Sequence, residues 1–187
     1  MGKGKYKFER LVKSMNFLEN KKITGVLWGI LRVWLGYMWL RSGLGKVVDP
    51  AWVGGKAGTA VTGFLTGALA KAAGDHPAVQ GWYAGFIKAF ALPNAAVFSY
   101  LVAFGELITG ISLIFGVLTY AGLIASAMMN LNYLFAGSIS TNPNMLLLAF
   151  ILIYVGANTY YYGVDRFLFP KIKDYWEMRD KKDGKKA

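Results

Sequence analysis

The chain has no cysteine and a single histidine, His76. The first absence excludes disulfides, thiolate nucleophiles, iron–sulfur ligation and thiol redox chemistry within its 187 residues. The second leaves no bis-histidine haem, dinuclear copper centre or zinc cluster, and His76, beside Pro77, reads as a solvated loop residue. Acidic residues are scarce too: ten against 21 lysines and arginines, a formal net charge of +11. A Walker loop, a GxGxxG after a strand, HExxH and GxSxG are all missing, so nucleotide binding and familiar hydrolase chemistry have no support. Electron transfer through this chain would use a bound cofactor or a partner subunit.

What is present is apolar. The chain is 55% hydrophobic and 16% aromatic, more than an ordinary soluble domain carries. Its basic residues gather in two terminal blocks around a nearly uncharged middle, a layout that fits membrane topology and not nucleic-acid binding. The expectation is an all-α integral membrane protein: a four-transmembrane-helix bundle forming a single domain, multi-pass in the cell membrane, with cytoplasmic N- and C-termini. Residues 1–23 form a basic lead-in, amphipathic over 8–18. The spans are placed at 24–48, 95–116, 119–136 and 144–162, and residues 163–187 form a basic cytoplasmic tail. Residues 49–94, rich in Gly, Ala and Thr, read as an extracytoplasmic insertion of two short helices with Trp52, Trp82 and Tyr83 at headgroup level. The first apolar run is longer than a signal-peptide core and lacks an A-x-A-like cleavage site, so it reads as a retained span.

The first span, GVLWGILRVWLGYMWLRSGLGKVV, carries Arg32, Arg41 and Lys46. A charge near the centre of a membrane helix costs roughly 2.5–3.5 kcal/mol even on lenient scales, so it turns toward protein or a wet cavity. At about 100° per residue, Gly36, Trp39, Gly43 and Lys46 share a face with Arg32, and Arg41 lies opposite. The glycines read as packing notches, and Arg41 and Lys46 either snorkel to headgroups or bind a ligand. Glu106 is the acid inside a predicted span, and its expected partner is an arginine of the first span, Arg32. That pair is either an interhelical pin or a site of proton or substrate handling. Asn130 and Asn132, on different flanks of the third span, and Tyr133 beside them either tie helices together or donate to the carbonyl oxygens of a quinone. The run Asn158, Tyr160, Tyr161 and Tyr162 reads as an interfacial aromatic belt.

Two stretches carry a family resemblance. LRVWLGYMWLRSGLGKV, Leu31 to Val47, is similar to the pattern R-x-x-x-G-x-x-x-x-x-x-G-x-x-K, and ELITGISLIFGVLTYAGL, Glu106 to Leu123, to E-x-x-x-G-x-x-L-x-x-G-x-x-T; YGVDRFL, Tyr162 to Leu168, resembles the same family's end. Together they resemble the DoxX/DoxD family of four-helix membrane proteins, which includes the large subunit of thiosulfate:quinone oxidoreductase. The resemblance implies oxidation of thiosulfate to tetrathionate with electrons passed to membrane quinone. Arg32 and Glu106 would then be catalytic, Arg41, Lys46 and Trp39 would bind a sulfur oxyanion, and Asn130, Asn132 and Tyr133 would bind the quinone cofactor. The expected partners are the lipid bilayer, quinone, a small extracytoplasmic subunit and a second copy of the chain. Two other readings stay open: a non-catalytic anchor or assembly subunit of a redox complex, and a small-anion or proton transporter.

Overall fold

The structure is a computed structural model that describes residues 21–172 and residue 175. The amphipathic lead-in over residues 8–18 and the end of the basic tail lie outside the described residues.

Helix is the regular structure of those residues, with no strand among them. Helix α1, Lys21–Val47, is the longest, and α4, Ala95–Phe115, packs against it along much of its length. Both are long and apolar enough to cross a membrane. Helix α5, Thr119–Phe135, turns back on α4, and α6, Asn142–Tyr154, lies on α5 and returns to α1. A buried core of Leu35, Trp39, Leu113, Leu123, Ala149 and Leu152 fills the space between these four helices.

Glycines set the register of α1 on α4. A Cβ at Gly36 would strike Ile114, one at Gly43 would overlap the Leu107 backbone, and one at Gly110 would overlap Leu40. Each step outward along α1 is thus matched by an equal step back along α4, the pattern of an antiparallel pair in close backbone contact. Carried along, this register brings Lys46 level with the turn of α4 that holds Glu106. Arg32 comes instead opposite the link between α4 and α5.

That link is short and tightly held. Gly116 ends α4 in the left-handed region (φ 66°), with its N–H returned to the Ser112 carbonyl. Leu118 is also left-handed, at φ 51°, unusual for a residue with a Cβ. The Asp165 carboxylate compensates by accepting from Leu118 N (2.8 Å) and Thr119 N (2.6 Å), and Asp165 N donates to the Gly116 carbonyl.

The last expected span is shorter than the sequence indicates. The apolar stretch over 144–162 is helical only to Tyr154, because Gly156 adopts φ 63° and a 3-10 turn, Gly156–Asn158, follows. With 17 and 13 residues, α5 and α6 fall short of the roughly 20 that a bilayer core requires. The chain then runs back beside α1, and residues 165–172 are helical.

The insertion contains two helical pieces: α2, Thr59–Ala70, and α3, Gly81–Phe86, which continues as a π-helical turn, Ile87–Ala91. They do not stand apart. Val61, Leu65, Val79, Tyr83 and Ile87 form a second core with Ala95 of α4 and Ala136 after α5, and Lys71 Nζ donates to the Gly137 carbonyl at 2.9 Å. Of the three aromatic residues expected at headgroup level, only Trp82 is well exposed; Tyr83 is buried and Trp52 turns inward. Both inward rings have polar partners, Lys46 for Trp52 and Asn132 for Tyr83.

Candidate functional site

The expected pairing of Glu106 with Arg32 does not form. Glu106, 1% exposed, is paired with Lys46 at 2.6 Å. The reason is height, not face. Arg32 and Lys46 share a stripe of α1 but stand fourteen residues apart, about 21 Å along the helix axis. Only Lys46 falls level with the carboxylate.

Both carboxylate oxygens of Glu106 are engaged. Oε2 takes the Lys46 ammonium, and Oε1 accepts the Tyr133 hydroxyl at 2.5 Å. Lys46 also donates to Ser42 Oγ at 2.8 Å, one turn back on α1, and lies 5.0 Å from the centre of the Trp52 ring. A buried ion pair is tolerated when further hydrogen bonds satisfy what the pair leaves over, and Tyr133 and Ser42 do that here. The Tyr133 ring stacks on Trp39 (centroids 6.5 Å apart) and meets Phe64 edge-on at 5.8 Å. Trp39 is itself fixed by an indole N–H bond to Ser126 Oγ at 2.7 Å. Trp39, expected to touch substrate, is therefore a buried buttress for Tyr133.

Tyr133 also forms part of the wall of a cavity of about 250 Å³ between the insertion and helices α4 and α5. Trp52, Phe64, Phe86, Phe98 and Met129 make most of it apolar, and Tyr83, Asn132 and Tyr133 give it one polar side. The Tyr83 hydroxyl donates to both the backbone and side-chain oxygens of Asn132, each at 3.1 Å, and Asn132 Nδ2 donates to the Met128 carbonyl. Burial pushes the Tyr83 hydroxyl above the ordinary phenol range, so it remains a proton donor. Of the three residues expected to hold a quinone, Asn132 and Tyr133 thus meet at one cavity. Asn130 does not line it: it is fully buried on the other flank, and its amide has no partner among the described residues.

The expected basic pocket is not assembled. Arg41 is exposed on the far side of α1, Lys46 is committed to Glu106, and Arg32 sits at the α4–α5 link. There Arg32 is buried, donates from Nη2 to the Tyr162 carbonyl at 3.0 Å, and is attracted by Asp165. Glycine makes room for it, since a Cβ at Gly116 or Gly163 would strike Nη1. Residues that sequence reasoning missed include Ser42, Ser126 and Asp165. Only Asp165 had a signal, its place in YGVDRFL.

No curated protein and no solved structure matches the chain. A family model described as TQO small subunit DoxD matches residues 28–181, a description that names the small subunit where the motifs pointed to the large one. The match takes in Arg32, Lys46, Glu106, Tyr133 and Asp165, and on its extent the chain belongs to the DoxD family.

Proposed function

We propose that this chain is a membrane subunit of a thiosulfate:quinone oxidoreductase-type enzyme and that it supplies the quinone side of the reaction. The observation that supports this reading is the meeting of an aromatic cavity with the Tyr133, Glu106 and Lys46 chain. A flat apolar ring fits walls of Phe64, Phe86 and Phe98, and the polar side at Tyr133 and Asn132 suits its carbonyl oxygens.

Quinone, when bound, supplies the two-electron acceptor. The electrons come from two thiosulfate ions joining to form tetrathionate, a step assigned to a partner subunit because Arg32, Arg41 and Lys46 do not converge on one anion. This chain's residues handle the two protons. Tyr133 carries a proton at the cavity wall, and Glu106 and Lys46 behind it restore that proton after it is given up. Lys46, the partly exposed member of the chain, connects it to water.

In this reading α1, α4, α5 and α6 all cross the bilayer, the two short helices being extended by the turns beside them, and both termini are cytoplasmic. The basic blocks at the two ends of the sequence support that orientation.

The test is calorimetric titration of the full-length protein in lipid nanodiscs with decylubiquinone. Saturable binding is expected, abolished by Val102→Phe, because Val102 of α4 lines the cavity and the larger ring would fill it. Tyr133→Phe should retain binding but slow thiosulfate-dependent quinone reduction in the assembled complex by about a hundredfold, the scale of one lost proton donor. Absence of binding to the wild-type chain would favour a second reading, a non-catalytic anchor. The observation behind that alternative is that both oxygens of Glu106 are already satisfied within the protein.

A further inference from the structure

A second cavity, of about 430 Å³, lies in the seam between α4 and α5, farther from the insertion than the first. Ile108, Phe115 and Leu118, all exposed, form its rims, and the small residues Gly122 and Ala125 line its floor. Of its two hydroxyl residues, Thr109 is buried and Ser112 donates to the Val117 carbonyl at 2.6 Å, so the open wall is apolar. The two cavities share one seam. On α4, Leu101 of the first cavity is followed by Gly105, Ile108, Ser112 and Phe115 at steps of three or four residues, the spacing of one helix face. Antiparallel to it on α5, Gly122 and Ala125 of the second cavity lead in the same steps to Met129 and Asn132 of the first. Gly105 and Met129 stand where the cavities meet. A Cβ at Gly105 would touch Met129 Sδ at 3.7 Å and nothing nearer, so the missing side chain leaves a passage, bounded across the seam by an unbranched, adaptable one.

We infer that this groove holds the apolar tail of a quinone whose ring occupies the first cavity. The inference rests on the quinone reading of that cavity and adds the substrate class: a quinone with a long hydrocarbon tail. Continuity favours the tail over bilayer lipid or a second copy of the chain, because the passage at Gly105 leads to the groove from the ring cavity itself. Depth favours it as well. Helix α4 has 21 residues, about 31 Å, close to the roughly 30 Å of a bilayer core. The ring cavity lies toward its Ala95 end at Phe98, Leu101 and Val102, and the groove follows toward its Gly116 end. A tail running down the seam therefore stays within the apolar layer. Leaving lipid for an equally apolar groove brings no hydrophobic gain, so the tail contributes through close packing against the small residues of α5, and its effect on affinity is moderate.

The experiment compares decylubiquinone with its tail-less dimethoxy-methyl-benzoquinone ring, each titrated calorimetrically into the full-length protein in lipid nanodiscs. Two variants act on the groove and leave the ring cavity's lining unchanged: Gly105→Leu closes the passage, and Ala125→Phe fills the groove from its floor. Affinities are read as the ratio of wild type to variant for each quinone, which cancels the partitioning of the ligand into the bilayer. Both variants should weaken decylubiquinone about tenfold and leave the ring's affinity unchanged. If both variants bind decylubiquinone as the wild type does, the proposal is overturned. A shift in the oligomeric state of Ala125→Phe would then assign the groove to a second copy of the chain, and no shift would assign it to bilayer lipid. Equal weakening of ring and decylubiquinone also overturns it, since the groove would then act on the ring cavity and not on a tail, while the quinone reading stands. Failure of both quinones to bind the wild-type protein removes the quinone reading, and this inference with it.

Discussion

Glu106 and Asp165 are both buried carboxylates, but they are satisfied differently. Glu106 relies on a charged partner and Asp165 on backbone amides. Replacing Glu106 with Gln strands the Lys46 ammonium, and a loss of about 3 kcal/mol is expected, the low end for a broken buried pair because Lys46 keeps contact with solvent. The double variant Glu106→Gln with Lys46→Met should recover most of that loss in thermal unfolding. If the double variant melts no higher than the single one, the pair is not the coupled unit described. Asp165→Ala leaves two amide groups without an acceptor and the left-handed Leu118 without its support, so a loss of about 2–4 kcal/mol is expected. Asp165→Asn, which keeps one acceptor oxygen, should lose less. At this scale the sequence was only partly legible. That Glu106 would need a cation was readable from its place in an apolar run; which cation was not, because helical spacing reports the face of a side chain and not its height against a neighbour.

For the helices, height is set where α1 and α4 touch. Gly43→Ala and Gly110→Ala each push a methyl group into facing backbone, which cannot give way as a side chain can. Loss of the folded protein, or at least a fall of several degrees in melting temperature, is expected for both. Gly63 of α2 is the contrast: a Cβ there meets nothing, and Ala should raise helix stability by about 0.5–1 kcal/mol. Melting curves for the three variants give the comparison. The glycines of α1 were visible in the sequence as notches, and matching Gly43 to the Glu106 turn would have found the Lys46 pair. The shortness of α6 was less visible, because the residues beyond Tyr154 remain apolar and aromatic while Gly156 bends the backbone away from helix.

Across the whole molecule, the charges separate into two zones. Lys56, Lys71 and Lys88 belong to the insertion, which packs on the start of α4, whereas Lys22, Arg166 and Lys171 lie toward its far end. Because the chain has no cysteine, single cysteines report its orientation without background. In right-side-out vesicles a membrane-impermeant maleimide should label Lys88→Cys, and label Lys171→Cys only after the membrane is opened. Labelling of both from outside would refute the proposed topology. Composition and charge layout had already indicated a membrane protein of helices. They were silent on how the insertion sits, because its core depends on residues from α2, α3, α4 and the α5–α6 turn meeting in space.

Lys46 and Glu106 are 60 residues apart in sequence. During synthesis α1 therefore leaves the ribosome with its ammonium uncompensated, and the whole insertion must follow before the carboxylate exists. The ion pair is thus among the later contacts the chain can make: a chain truncated before Glu106 leaves the Lys46 ammonium without its carboxylate, and its α1 is expected to be extracted from membranes more readily than that of the full chain.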